Sequence, residues 1–185
     1  MQDTDLKNKI KKVAVDLFNK NGYHGATIRN IAKEADCSLP MIYYYFKSKK
    51  ELFHEIIMKD YFNLLKKQAK QVNASNVLDF YTRLIYQLNY LSDYDKKVYR
   101  LGIKVYLTYE GDRELIEIMN RWEKTIQPTH YKLLSSHLNA DKDTIIMTRV
   151  LIRLMDNLIE SIVAKNTYIQ KEQIREELAV ILQNQ

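Results

Sequence analysis

Between Thr27 and Lys50 the chain collects side chains suited to holding a phosphate backbone: the hydroxyls of Thr27 and Ser38, the guanidinium of Arg29, the phenols of Tyr43 and Tyr44, and the ammonium groups of Lys47, Lys49 and Lys50. Hydrogen bonds from such groups to phosphate oxygens position a protein on a nucleic acid, and aromatic rings add contact with sugars and base edges. Nothing resembling an enzyme's machinery accompanies them. The sequence contains no nucleophile elbow, P-loop or dinucleotide-binding glycine pattern, so no nucleophile and base can be named and no cofactor is implied. His54-Glu55 opens like a zinc-protease pattern, but the position that needs a second histidine is Met58. His130 and His137 would supply at most two of the four ligands usual for zinc, so ordinary polar or core histidines are expected and no metal site.

The charge sits with these residues. Residues 1–50 carry ten Lys/Arg against five Asp/Glu, whereas residues 51–185 carry nineteen against eighteen, so nearly all of the net +6 is N-terminal. A basic excess of this kind favours an anionic partner. A membrane-surface helix would need one continuous apolar face there, but turn signals at Asn21-Gly22, His24-Gly25 and Asp36 divide the stretch into short runs. A compact basic module follows.

The elements that must position these side chains are helices. Four Gly and two Pro in 185 residues are too few for the turns of a sandwich, barrel or doubly wound sheet, and 46% hydrophobic with 28% charged residues is a globular composition, so the fold class is all-α. No stretch approaches the length of a membrane span and no apolar run follows the N-terminal lysines, so a cytoplasmic protein is expected. Cys37, alone of its type, excludes an internal disulfide and is read as a small apolar residue of a turn.

The first helix shows an inner stripe of Leu6, Ile10, Val13, Ala14, Leu17 and Phe18 and ends at Asn21-Gly22 in a left-handed cap. Thr27 caps a second helix with Ile28, Ile31, Ala32 and Ala35 inside. Asp36-Cys37-Ser38 turns the chain into a short third helix ending near Phe46, and Ser48-Lys49-Lys50-Glu51 reads as a capping box opening a long fourth helix. Further helices are expected over about 76–92, 96–108, 112–137 with a bend at Pro128, 143–165 and 169–184, for about nine in all. The helix from Asp143 is apolar over most of its circumference, through Ile145, Ile146, Val150, Leu151, Met155, Leu158 and Ile162. Such a helix is covered on more than one side, by its own core and by another subunit.

The second helix, turn and third helix form a helix-turn-helix unit whose second helix is presented to the major groove of DNA. Ile42 and Phe46 share its inner face, while Leu39, Pro40, Tyr43 and Tyr44 point the other way. At Gly22-Tyr23, Thr27-Ile28-Arg29-Asn30-Ile31-Ala32-Lys33-Glu34-Ala35, Ser38 and the run from Ile42 through Tyr43-Tyr44-Tyr45-Phe46-Lys47-Ser48-Lys49 to Leu52, the sequence resembles the TetR family of bacterial transcriptional regulators. The likeness covers about Asp5 to Ile57; beyond it only helix number, helix lengths and the buried penultimate helix agree.

The resemblance implies a helix-turn-helix DNA-binding domain over 1–48 and a helical regulatory and dimerisation domain over 49–185, with the fourth helix as connector. It implies a homodimer through the last two helices, double-stranded DNA with a palindromic operator as partner, and a repressor released when a small-molecule effector binds the C-terminal domain. Carried over by position, Thr27, Tyr44 and Lys49 hold phosphates, Tyr43 touches DNA at the groove, and Leu39, Pro40 and Met41 take the places that reach bases. The sequence departs from the pattern there, where polar residues are usual, and at Asp36, where Gly is usual. Pro40 disfavours a helical Leu39, so the third helix is expected to start at Pro40 with Leu39 as its cap. Among the body aromatics, Tyr86, Tyr90, Tyr106 and Trp122 are the candidate lining of a ligand pocket. The alternative reading is a helical small-molecule-binding or signalling module without sequence-specific DNA binding.

Overall fold

Among the described residues all regular structure is helical, as befits a chain so poor in Gly and Pro. The computed structural model describes residues 2–108, 113–136 and 142–182, with side chains except at 2–4, 106–108, 123 and 142. Nine helices follow in order: α1 (Gln2–Gly25), α2 (Ile28–Glu34), α3 (Leu39–Phe46), α4, α5 (Val77–Tyr86, extended by a 3-10 turn at Gln87–Tyr90), α6 (Asp93–Thr108), α7 (Arg113–Ser135), α8 (Lys142–Ile159, extended by a π turn at Glu160–Ala164) and α9 (Lys171–Leu182). The rod α4 is α-helical over Lys49–Glu55, π-helical over Ile56–Tyr61 and α-helical again over Phe62–Lys70. No described helix is long and apolar enough to cross a membrane. The helices form two compact units, one of α1 to α3, α4 through Lys66, and α6, the other of the end of α4, α5, α7, α8 and α9.

In the first unit α1 is the central post. Its buried stripe is Ile10, Ala14, Leu17 and Phe18 at the predicted spacing, joined by Val15, while Leu6 and Val13 are half-buried. Val15 is inside because α1 is covered on more than one side, by α2, α4 and α6. Phe18 meets Phe53 of α4 edge-on with centroids 4.9 Å apart. Toward α6 the contact is polar: Asn19 Nδ2 donates to the Lys97 carbonyl at 2.9 Å, and Lys104 Nζ donates to the Asn19 carbonyl at 2.6 Å. The break at Gly22 falls where predicted, but its φ of 70° and ψ of 174° are not those of a left-handed helical cap. The chain kinks there and makes one more turn to Gly25, with the Ala26 N–H donating to the Gly22 carbonyl at 3.2 Å.

The π stretch of α4 is held from two directions. Tyr61, buried at its end, lays its ring against Gly102 of α6 so closely that a Cβ at 102 would stand well inside contact distance of three ring atoms. The adjacent Asp60 accepts Lys11 Nζ of α1 at 2.8 and 2.9 Å and the Tyr94 hydroxyl of α6 at 2.7 Å, so one carboxylate ties three helices together. Burial first, and then the bond to Asp60, hold the Tyr94 phenol above its ordinary range.

In the second unit α5 packs on α9 and α8, and α7 packs on α8. Helix α7 runs unbroken through Pro128. His130 is a core histidine: its Nδ1 lies 2.7 Å from the hydroxyl of the fully buried Tyr81. His137 and the predicted end of the last helix at Asn184 lie outside the described residues. Burial lowers His130 below its ordinary 6.5, so the native state binds fewer protons than the unfolded chain once the pH falls under that value. Its stabilising contribution is complete above 6.5 and declines as the pH drops below it. We predict a chemical-denaturation midpoint that falls between neutral pH and about pH 5, and a shallower fall in His130→Leu. That variant also loses about 1–3 kcal/mol at neutral pH, because the Tyr81 hydroxyl is left buried without its partner.

Candidate nucleic-acid interface

The turn joining α2 to α3 is built by backbone hydrogen bonds. Thr27 Oγ1 accepts from the Asn30 N–H at 3.1 Å and starts α2. At its end the Asp36 N–H donates to the Lys33 carbonyl at 3.2 Å and the Cys37 N–H to the Ala32 carbonyl at 3.0 Å, the paired bonds of a Schellman motif. Asp36 supplies the left-handed residue, with φ 50°, in the place where glycine is usual. Cys37 is half-buried in this turn, and burial raises its thiol above the ordinary value, so it is held in the protonated form.

Helix α3 starts at Leu39 with Ser38 as its N-cap, one residue earlier than predicted, and Pro40 sits inside its first turn. The proline costs the helix no hydrogen bond there, because the missing Pro40 N–H is one that no helix needs at its start. This arrangement has a consequence for Ser38. A cap side chain ordinarily accepts from the second or third helical N–H; here the second is proline and the third, Met41, donates to the Ser38 carbonyl at 3.0 Å. Ser38 is exposed and makes no side-chain cap bond.

Ile42 and Phe46 anchor α3 in the core, both essentially inaccessible. The opposite face carries Pro40, Tyr43 and Tyr44, with the tyrosines 50% and 71% exposed, flanked by half-buried Leu39, Met41 and Tyr45. Exposed tyrosines of this size on a short helix are not core material. Lys47 closes α3 with φ 55°, a conformation rare for a side-chain-bearing residue, and is exposed, as is Arg29 on α2.

Ser48 Oγ accepts from the Glu51 N–H at 3.1 Å and starts α4, while its own N–H goes to the Phe46 carbonyl, so the Ser48 half of the capping box forms as predicted. Lys49 has a role the sequence does not disclose. Its ammonium donates to the carbonyls of Tyr23 at 2.9 Å and Ala26 at 3.0 Å and lies 4.4 Å from the centre of the Tyr23 ring. Burial lowers its pKa. Lys49 therefore closes the end of α1 onto α4, and one N–H remains for an outside acceptor. Lys49→Ala is expected to lower the melting temperature as well as any DNA affinity, whereas Tyr43→Ala should leave melting within error; equal melting of both variants would contradict the bracing role.

The aromatic candidates of the second unit divide. Tyr86 and Tyr90 come together, their hydroxyls 2.6 Å apart, and both meet Tyr168 of the segment before α9, at 3.0 and 3.3 Å. The cluster is at the surface, with Tyr90 66% exposed. Asn89 fixes Tyr168 by exchanging hydrogen bonds with the Ile169 backbone at 3.0 and 3.2 Å. Nothing in the sequence joins Tyr168 to the other two. Trp122 is half-buried on α7, and the Tyr106 side chain lies outside the described set.

Comparison with known proteins now bears on this geometry. The family profile described as bacterial regulatory proteins, tetR family, matches residues 10–56, the span of α1 through the first part of α4. The transcriptional regulator QacR of Staphylococcus aureus is 32% identical over 140 residues, covering 74% of this chain and 73% of that protein. The chain belongs to the TetR family. As a member it is a DNA-binding transcriptional regulator, of a family that is not enzymatic. Solved TetR-like structures superpose over nearly the whole chain. A regulator from Rhodococcus sp. RHA1 has a TM-score of 0.72 at 17% identity, covering 96% of this chain and 93% of that one. One from Aquifex aeolicus has a TM-score of 0.64 at 23% identity, covering 96% and 98%. These likenesses establish the TetR-like fold. The biofilm-operon negative regulator IcaR of Staphylococcus aureus is 36% identical over 52 residues, covering 28% of each chain.

Proposed function

We propose that the protein is a homodimeric repressor that occupies a palindromic operator through α2 and α3 and leaves it when a small molecule binds the C-terminal body. The observation that carries the DNA contact is the outward face of α3, where Tyr43 and Tyr44 stand exposed beside the uncapped hydroxyl of Ser38. Ser38, Thr27, Arg29, Tyr44, Lys47 and the last N–H of Lys49 hold phosphates. Leu39, Pro40, Met41 and Tyr43 enter the groove. Residues 1–48 are the DNA-binding domain, and 49–185 are the regulatory and dimerisation domain, with Tyr86, Tyr90, Tyr106 and Trp122 its candidate effector contacts.

The dimer reading is supported by α8 and α9. Leu151, Met155, Leu158 and Ile162 of these elements face the core, yet Ile145, Ile146 and Val150 on α8 are 41%, 59% and 43% exposed and Val180 on α9 is 70% exposed. Apolar side chains left outside on the last two helices suit a two-fold contact between identical surfaces. Sedimentation at micromolar protein should give a dimer for the wild type and a monomer for Ile146→Glu with Val180→Glu. A wild-type monomer, or a dimer indifferent to both charges, counts against this interface. Repression and release are tested by transcription from a promoter carrying the bound DNA, with native mass spectrometry of the purified protein to identify a co-purifying effector.

A further inference from the structure

The identity of the bases read by α3 can be inferred from what that helix lacks. Its sequence, LPMIYYYF, contains no Arg, Lys, Asn, Gln, Asp or Glu. Guanine is recognised in the major groove by Arg or Lys, adenine by Asn or Gln, and cytosine by Asp or Glu; thymine alone offers an apolar group, its C5 methyl. In a helix-turn-helix the N-terminal residues of the second helix meet the base edges. Here those residues are Leu39 and Met41, half-buried, and Pro40, exposed. Their backbone offers little in place of the missing donors, because Pro40 has no N–H and that of Met41 is bonded to the Ser38 carbonyl at 3.0 Å, which leaves the N–H of Leu39. The polar atoms of the helix's side chains are the phenol hydroxyls of Tyr43, Tyr44 and Tyr45, all past the first turn.

We infer that Leu39, Pro40 and Met41 form an apolar reading face and that the operator is chosen through thymine methyl groups packed against it. This rests on the DNA-binding reading above. The neighbouring polar groups, Ser38 before the helix and Lys47 after it, flank the face and hold the backbone on either side. Discrimination then comes from removing methyl surface from water, not from paired hydrogen bonds.

The test separates the two layers. Full-length protein is used to select duplexes from a random pool, and the enriched duplex is remade with deoxyuridine in place of thymidine, one position at a time. Uracil keeps the pairing and the O4 acceptor and lacks only the methyl group. At one or more thymines in each half-site, affinity should fall about fourfold per methyl removed. In Met41→Ala or Leu39→Ala the same replacement should have little effect at the thymine that residue covers. An enriched duplex bound equally well with uracil at every position overturns the methyl reading and leaves DNA binding standing. So does an enriched half-site whose α3 contacts are G·C pairs. A selection that enriches no sequence removes both readings. Should either variant fail to fold, the uracil series on wild-type protein still decides.

Discussion

Asp60→Ala is expected to lower the stability of the first unit by about 3 kcal/mol, the cost of breaking a largely desolvated ion pair from one side. The Asp60 and Lys11 side chains are only 18% and 14% exposed, and the carboxylate also accepts from Tyr94, so the substitution leaves an ammonium and a phenol facing an empty place. Chemical denaturation of the full chain measures the loss. Replacing the whole set together, Lys11→Met with Asp60→Leu and Tyr94→Phe, should recover most of it, since no polar group is then left unpaired. A midpoint for Asp60→Ala within error of wild type would show that water replaces the carboxylate freely. Lys11 belongs to the helix on which α2 and α4 rest, so the same variant should weaken DNA binding through loosened support and not through a lost contact.

Gly102→Ala is the second large effect, at about 1–3 kcal/mol. The glycine is demanded by a neighbour: α6 passes α4 with the buried Tyr61 ring where a methyl group would lie, and no backbone conformation is at issue. The ring also meets Tyr99 edge-on, at 5.6 Å between centroids, and is buried, which limits its retreat. Tyr61→Leu with Gly102→Ala should be less damaged than the sum of the single losses, because removing the ring makes room for the added methyl group. Additive losses would place the strain somewhere other than this contact.

How legible these features were depended on sequence distance. The α1 stripe, the Thr27 and Ser48 caps, the break at Gly22 and the turn at Asp36 were all read correctly in position, because each is set by residues within a turn or two of one another. The local details that differ are the conformation at Gly22, the unbroken run of α7 through Pro128 and the start of α3. At α3 the steric bias against a helical residue before proline does not prevail, and a proline in the first turn removes no N–H that the helix uses. Long-range partners left no trace. Lys49 meets carbonyls 26 and 23 residues away and looks, in sequence, like any other phosphate-binding lysine. Asp60 finds Lys11 and Tyr94 across 49 and 34 residues, and Tyr168 reaches Tyr86 across 82. Periodicity reports which face is apolar; it does not report which helix comes to cover that face. Of the DNA-facing residues, Tyr43 and Tyr44 were readable because the helical period put them opposite Ile42 and Phe46, and the exposure of the three-dimensional helix follows the same division.

The most direct test of the central claim is fluorescence anisotropy of a labelled selected duplex against a scrambled one of equal composition, titrated with wild-type protein and with Tyr43→Ala plus Tyr44→Ala. The wild type should bind the selected duplex at least about a thousandfold more tightly than the scrambled one and lose affinity steeply with salt. The double variant should lose most of its affinity for the selected duplex with its melting temperature unchanged. Equal binding of both duplexes by the wild type, or wild-type affinity in the double variant, would contradict α3 as the face that reads DNA.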